Sequence, residues 1–574
     1  MLLSVITAVD PTGANLDALS SAARYITLRK DVEWVLAVPS DLVSRVAEVL
    51  DLELLPQPVT PLDPTTAPAS VDLSLTTGAI RIIPTGLTSL EPSQVGLALA
   101  QARGRWVWIL GDADEPLPSA VAHICDVLAT HTPRFVVGNA LVSSKYGIET
   151  AQTHQLTPGP LAASVLKERW GHHAATIPFS LRAVVLNTEE LRAAGGCRAV
   201  DLAEVLAPIM LADAAGNGWA TEALLLHYRQ HEGRTSRRIN MMNLEQAVRT
   251  EAWKAPDREY QLSTRHEFSP SWHIRMVDPA PGAWWPRCNQ ESTTKEPHTD
   301  AVPSLPMVSI ITATHPSPGR EHFIAELAES IFGQTGFDTR LIEWVIQEDG
   351  DAMSCRTRLA PELLSDPRVR IEYNMTRIGA AATRNIALSR VRGRIVLVAD
   401  DDDVLLPNAC AALLQEFSHP GVGWVGAGIE SWEGHPFVAK NLAGVVEQHG
   451  IALAWGHPTN VFPMVHTACA FRVELLRAIG GWAALPQAED MSLLVAASAR
   501  ARGFVTPVPV YRYRTHAEQM TSAGGFSSTE AASRTAVWRR ACDLARADAG
   551  SPLANAVLSA DLTPASRTSR FFTA

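Results

Sequence analysis

A chain of 574 residues is too long for one ordinary hydrophobic core and implies two domains or more. With 46% hydrophobic and 19% charged residues, its composition excludes an intrinsically disordered protein. A net charge of −11, with no Lys/Arg block to reverse it, argues against a nucleic-acid partner.

The chain opens with "MLLSVITAVDPTGAN", whose apolar run is too short and too uncharged in front for a signal peptide. It predicts a first β-strand starting almost at Met1. No stretch reaches the ~18–20 apolar residues of a membrane span. Peripheral association with a membrane face stays compatible with the sequence; crossing does not. The seven cysteines (Cys125, Cys197, Cys288, Cys355, Cys410, Cys469 and Cys542) form no CxxC pair and are expected as reduced thiols of a cytoplasmic protein.

Further along, the pattern repeats. "DVEWVLAVPS" (31–40) returns as "LIEWVIQEDG" (341–350), and "RGRWVWILGDADEPLP" (103–118) as "RGRIVLVADDDDVLLP" (392–407). "GHHAATIPFSLRAVVLNTEELRAAGG" (171–196) returns as "GHPTNVFPMVHTACAFRVELLRAIGG" (456–481), and "HYRQHEGRTS" (227–236) as "RYRTHAEQMT" (512–521). His231 and His516 stand the same interval apart as Gly171 and Gly456. The reading is a tandem duplication of a unit of roughly 240 residues. Between the copies, residues 245–305 carry Trp284 and Trp285 and end in a Pro-bearing linker.

In the second unit "MVSIITATH" and "IEWVIQEDG" predict strands, "REHFIAELAESIFGQ" and "GAAATRNIALSRV" helices, and "RIVLVADDDD" a strand again. Strands without strict alternation, separated by helices, mean a mostly parallel sheet with helices on both faces. Ligands of such sheets bind at the carboxyl ends of the strands, where "EDGD" and "DDDD" fall. Two like charges at about 4 Å repel by roughly 4 kcal/mol at an effective dielectric near 20. Four consecutive aspartates, Asp400 to Asp403, therefore need water, a cation or basic groups around them.

The ordered motifs "VSIITATHPSPGR", "EDGD", "NMTRIGAAATRN", "VADDDDVLLP", "GGW…AED" and "YRYRTH" resemble a family 2 glycosyltransferase with the GT-A fold, over residues 306–522. The resemblance implies two tandem GT-A domains of Rossmann-like α/β type and a nucleotide-sugar donor, a UDP-sugar first. Its acceptor would be a carbohydrate, lipid-linked or other hydroxyl. It implies donor binding by Thr314, Glu348, Asp349, Arg384, Asn385 and Asp400, and a divalent cation, Mn²⁺ or Mg²⁺, held by Asp402 and His516. Asp401 and Asp403 would be exposed loop carboxylates.

Inverting transfer needs a base for the acceptor hydroxyl's proton. A carboxylate pair at a helix start is commonly a capping or dipole feature. By the family's pattern, however, Asp490 is that base; Glu489 beside it is a candidate at the acceptor, and Trp482 either stacks on an acceptor sugar or packs in the core.

In the first unit the chemical positions are lost: Val38 and Pro39 replace Glu348 and Asp349, Val95 and Gly96 replace Arg384 and Asn385, and Gly111 and Ala113 replace Asp400 and Asp402. Asp112 and Asp114 could still present an acidic pair, and Asp201 stands opposite Asp490. The expected organisation is a degenerate domain at 1–244, a connecting segment at 245–305, a catalytic domain at 306–524, and a helix with a tail at 525–574. The competing readings are a polymerase with two active sites, a nucleotidyltransferase, and a carbohydrate-binding scaffold.

Overall fold

In the computed structural model the described residues are 1–10, 13, 15–52, 71–74, 79–85, 91–143, 149–172, 177–193, 196, 205–229, 306–315, 322–350, 354–374, 377, 379–437, 442–456, 462–515, 526–548 and 550–560. The connecting segment 245–305, Asp201, His231, His516 and the tail from 561 lie outside them, so the expectations placed there go no further than the sequence.

In the second half the buried strands "VSIITAT" and "IEWVIQE" pair in parallel, as do Val308–Thr314 with Ile395–Val398 and Ile342–Glu348 with Val369–Tyr373. Across the sheet the order is Val369–Tyr373, Ile342–Glu348, Val308–Thr314, Ile395–Val398, Cys469–Arg472, Val422–Ser431, Arg502–Tyr513 and Val404–Leu405. Cys469–Arg472 runs antiparallel to both neighbours. The chain starts at Val308–Thr314, winds outward one way, then returns to add Ile395–Val398 on the other side. In open α/β sheets the crevice at such a reversal, beyond the carboxyl ends of the strands, is the usual ligand position.

The first half repeats this order strand for strand, from Ala79–Thr85 through Val32–Pro39, Leu3–Ala8, Trp106–Gly111, Val184–Asn187, Phe135–Ser143 and Gly218–Arg229 to Glu115–Pro116, with Val71–Ser74 added at the edge. A buried polar network recurs with it. The Ser309 hydroxyl donates to Glu343 at 2.6 Å, and Glu343 accepts the Arg392 backbone N–H at 2.5 Å. In the first half Ser4 and Arg103 make the same two bonds to Glu33, each at 2.5 Å. Trp344 and Trp34 each donate their indole N–H to a threonine one strand away, Thr312 and Thr7. Such groups persist inside a sheet because each has a partner.

The two halves share one core. A continuous apolar cluster runs from Ile6, Val107 and Trp170 in the first half to Ile311, Trp455 and Trp482 in the second. The helix Phe526–Ala547 lies against helices Glu91–Gln101 and Thr188–Ala193 of the first half and Glu489–Arg500 of the second. Its Arg540 is buried and donates to the carbonyls of Ser492 and Ile479 at 3.2 and 2.8 Å. Burial lowers that guanidinium to about 9. Among the described residues no helix is long and apolar enough to cross a membrane.

Candidate active site

The acid turn follows Ile395–Val398 at the mouth of the crevice. Ala399 still bonds across to the Ile311 carbonyl at 3.0 Å, so the chain leaves the sheet at Asp400. The Asp400 carboxylate accepts from Arg384 at 2.7 Å, and the other arm of the same guanidinium reaches Glu489 at 2.9 Å. Arg384 is 6% exposed and belongs to the helix Ala380–Arg390, whose Ala381–Leu388 are all buried. Burial works against its charge, but Asp400 and Glu489 outweigh burial and hold the proton firmly. One fork thus joins the turn after a strand to the start of a helix that lies 105 residues beyond Arg384 itself.

That helix, Glu489–Arg500, is entered through Ala488, a non-glycine residue at φ 58°. Left-handed backbone at such a residue is uncommon and marks a constrained approach. Glu489 and Asp490 are driven apart in acidity. Burial raises Glu489, against the pull of Arg384. Burial also opposes charge on Asp490, but His466, the Met491 backbone N–H and Arg384 overrule it and hold Asp490 below the ordinary aspartate range. Neighbouring carboxyls with separated acidities are how a protein keeps one of them available as a base near neutral pH.

Asp349 ends the strand Ile342–Glu348 and accepts from Asn374 at 3.1 Å and from the Gly379 backbone N–H at 2.9 Å. Its own N–H donates to the Thr314 carbonyl at 2.7 Å. The Thr314 hydroxyl donates to Asp401. Thr314 therefore joins the two acidic loops at the crevice, and Thr314, Asp349, Arg384, Asp400, Glu489 and Asp490 come together there.

Several expectations are corrected. Glu348, expected at the nucleotide, is wholly buried, and its two oxygens accept the backbone N–H groups of Ser354 and Cys355 at 2.8 and 3.0 Å. It anchors the loop after its strand. Asn385, expected at the donor, makes a reciprocal pair with the Trp482 backbone, donating to its carbonyl at 2.8 Å and accepting its N–H at 2.9 Å. Gly481 is at φ 67°, and a Cβ there would meet the Asn385 oxygen at 2.3 Å, so both backbone and space demand glycine.

Trp482 is fully buried with its ring edge-on to His466, and it offers no open face for an acceptor sugar to stack on. Asp403 is not an exposed loop acid: it is 2% exposed and accepts the Arg514 N–H at 2.6 Å. Burial, with the Asp402 charge beside it, pushes Asp403 well above the usual carboxylate range. Asp401, half-buried, is tied to Thr314.

Asp402 is half-buried, and its backbone carbonyl accepts from Arg514 at 2.8 Å. Among the described residues no three His, Cys, Asp or Glu side chains cluster as a ready metal cage. The donors at the turn are carboxylate oxygens, the type that Mg²⁺ and Mn²⁺ prefer, and such ions commonly take one or two protein carboxylates plus substrate phosphates. The donor chemistry of the turn fits such an ion.

In the first half, the acids of the corresponding loop are bonded to the loop after the first strand, to Gly111 and to Arg182. Asp112 accepts from the Asp10 N–H and from Asn15, both at 3.1 Å, and Asp114 is 2% exposed and accepts the Gly111 N–H at 2.9 Å. Gly96, opposite Asn385 in the repeat, faces the second half: a Cβ on it would lie 1.7 Å from the Ala484 carbonyl oxygen. Its φ is not positive, so close approach alone requires glycine there.

His466 escaped the motif reading. The signal lay in comparing the repeats: its counterpart is Leu181, a polar-for-apolar exchange at the head of matching short turns, His466–Ala468 and Leu181–Ala183.

Residues 309–480 match the family model described as glycosyl transferase family 2. The chain is 33% identical over 102 residues to an Escherichia coli protein named UDP-Glc:alpha-D-GlcNAc-diphosphoundecaprenol beta-1,3-glucosyltransferase WfgD, covering 18% of this chain and 37% of that one. It is 29% identical over 102 residues to a glycosyltransferase of Methanocaldococcus jannaschii, MJ1057, covering 18% and 34%. The chain spans little more than a third of the length of these curated relatives. Among solved structures, S. aureus TarS 1–349 in complex with UDP-GlcNAc aligns with 45% of this chain and 68% of its own, at 18% identity and a TM-score of 0.33. Mannosyltransferase PcManGT from Pyrobaculum calidifontis aligns with 46% and 82%, at 20% identity and 0.30. The match to the glycosyl transferase family 2 model thus lies wholly within the second half of the chain, over the strands and turns that carry the site.

Proposed function

We propose that this protein is an inverting, metal-dependent glycosyltransferase that works in the cytoplasm through its C-terminal half. It would move a sugar from a nucleotide-sugar donor, a UDP-sugar first, to a glycan, lipid-linked or other hydroxyl acceptor. The observation that carries the reading is the Arg384 fork, which sets Asp400 and the Glu489–Asp490 pair in one crevice at the reversal of the sheet. The motif resemblance makes UDP the first nucleotide to test, and a relative named for UDP-Glc agrees with it.

In this reading Asp349 and Thr314 border the nucleotide end of the crevice and Asp400 its ribose. Asp402, with His516, would hold Mn²⁺ or Mg²⁺, which when bound neutralises charge on the departing diphosphate. Asp490 takes the acceptor hydroxyl's proton as that oxygen attacks the anomeric carbon. Arg384 keeps the acid turn and the base in fixed relation, and Glu489 balances the second arm of the guanidinium.

The first half is proposed to be a degenerate copy that braces the second. The common strand order and the recurrent Ser–Glu–Arg network support the duplication. The partners that already hold Asp112 and Asp114, namely Asp10, Asn15, Gly111 and Arg182, and the contact of Gly96 with Ala484, favour a brace over a second donor site.

Calorimetric titration of UDP into the full chain, with and without Mn²⁺, tests the reading. The expected result is saturable binding that strengthens with metal. No binding in either condition would favour a scaffold.

A further inference from the structure

Asp490 has a neighbour that the sequence motifs do not announce. The Nδ1 of His466 lies 3.7 Å from an Asp490 carboxylate oxygen, and its ring stands edge-on to Trp482 with centroids 6.4 Å apart. His466 is 6% exposed, and its Nε2 has no hydrogen-bond partner among the described residues. The same holds for the indole N–H of Trp482, which is fully buried. A buried polar atom without a partner is costly, and each one calls for an explanation. His466 is thus held between the Trp482 ring and a carboxylate that retains some exposure, with no other described group bonded to its Nε2 to account for its burial.

We propose that His466 is a positioning residue that orients Asp490, whose carboxylate keeps some exposure, toward the acceptor hydroxyl. The inference rests on the reading of Asp490 as the base. In the step, the acceptor O–H bond breaks and its proton goes to Asp490. The new bond forms from that oxygen to the anomeric carbon, while the electron pair of the breaking anomeric C–O bond leaves with the diphosphate. His466 neither gains nor loses a proton. The charged groups that face Asp490 are Glu489 on its own helix, Arg384 from the helix Ala380–Arg390, Asp400 from the acid turn, and His466 when protonated. Of these, the turn bearing His466 is the one whose counterpart in the first half carries leucine, Leu181.

The test uses the full chain with Mn²⁺ and a UDP-sugar that it hydrolyses, with water in the acceptor's place. His466→Leu copies the first half; His466→Asn keeps an N–H donor at about the reach of Nδ1. The expected result for His466→Leu is a turnover lower by about tenfold or more, with UDP affinity and melting temperature held. The acid limb of its pH–rate profile should move to higher pH, because Asp490 loses a neighbour that favours its ionised form. His466→Asn should recover part of both effects, and it alone decides the matter if the leucine variant fails to fold. An active parent protein with an unchanged acid limb and rate in the variants overturns this proposal alone. A parent that neither binds UDP nor hydrolyses any donor overturns the glycosyl-transfer reading, and this proposal with it.

Discussion

Arg384 shows how much of the site hangs on one side chain. It is buried, with a carboxylate on each arm, so removing it strands two acids in a poorly hydrated crevice. Breaking a buried ion pair from one side costs about 3–5 kcal/mol. Arg384→Ala should therefore lower the melting temperature measurably and abolish donor turnover. Arg384→Lys should restore little, because an ammonium cannot reproduce a two-armed fork; differential scanning fluorimetry with a hydrolysis assay on both variants checks this. The acids themselves were legible in the sequence, since a run such as "ADDDD" after a buried strand has few structural excuses. Which way each side chain faces was not. Glu348 and Asn385 sit in the right motifs but spend their polar atoms on backbone groups of Ser354, Cys355 and Trp482. Asn385 reaches a partner 97 residues away, which no local pattern encodes. Asp403 is the converse case: one of four like residues in a row, it alone goes under the turn to accept the Arg514 N–H.

At the level of elements, the repeat made the strands predictable, because matching runs such as "EWVLAV" and "EWVIQE" place the same kind of buried strand twice. The helix Phe526–Ala547 was legible as a helix and not as a joint. Its buried residues, among them Val537, Trp538, Ala541, Leu544 and Ala545, face elements of both halves, so no clean two-sided pattern advertises a partner. The contact between the helix Glu91–Gln101 and the loop after Trp482 was equally hidden, since Gly96 reads in sequence only as a lost asparagine. Gly96→Ala is expected to push on the loop that leads to Glu489 and Asp490. Overpacking of this kind costs about 1–3 kcal/mol. The chemical denaturation midpoint should fall and turnover with it; unchanged values for both would show that the halves do not meet closely there.

Across the whole molecule, two sheets of the same strand order bury a common core, yet their acid turns differ in kind. In the second half the turn is linked to Glu489, at the start of a helix, through Arg384; in the first Asp112 is held by Asp10 and Asn15 of the loop after the first strand, and Asp114 by Gly111 and Arg182. That contrast was half visible in the sequence. The exchange of Asp400 and Asp402 for Gly111 and Ala113 could be read directly, but the partners of Asp112 and Asp114 could not. The central claim is that one crevice, not two, carries the chemistry. Its most direct test measures Mn²⁺-dependent turnover of a UDP-sugar by Asp402→Ala and Asp114→Ala separately, normalised to folded protein. The expected result is loss of turnover by about 100-fold or more in Asp402→Ala, against parent-like turnover with reduced stability in Asp114→Ala. Full turnover in Asp402→Ala, or the loss of a distinct transfer in Asp114→Ala, would contradict it.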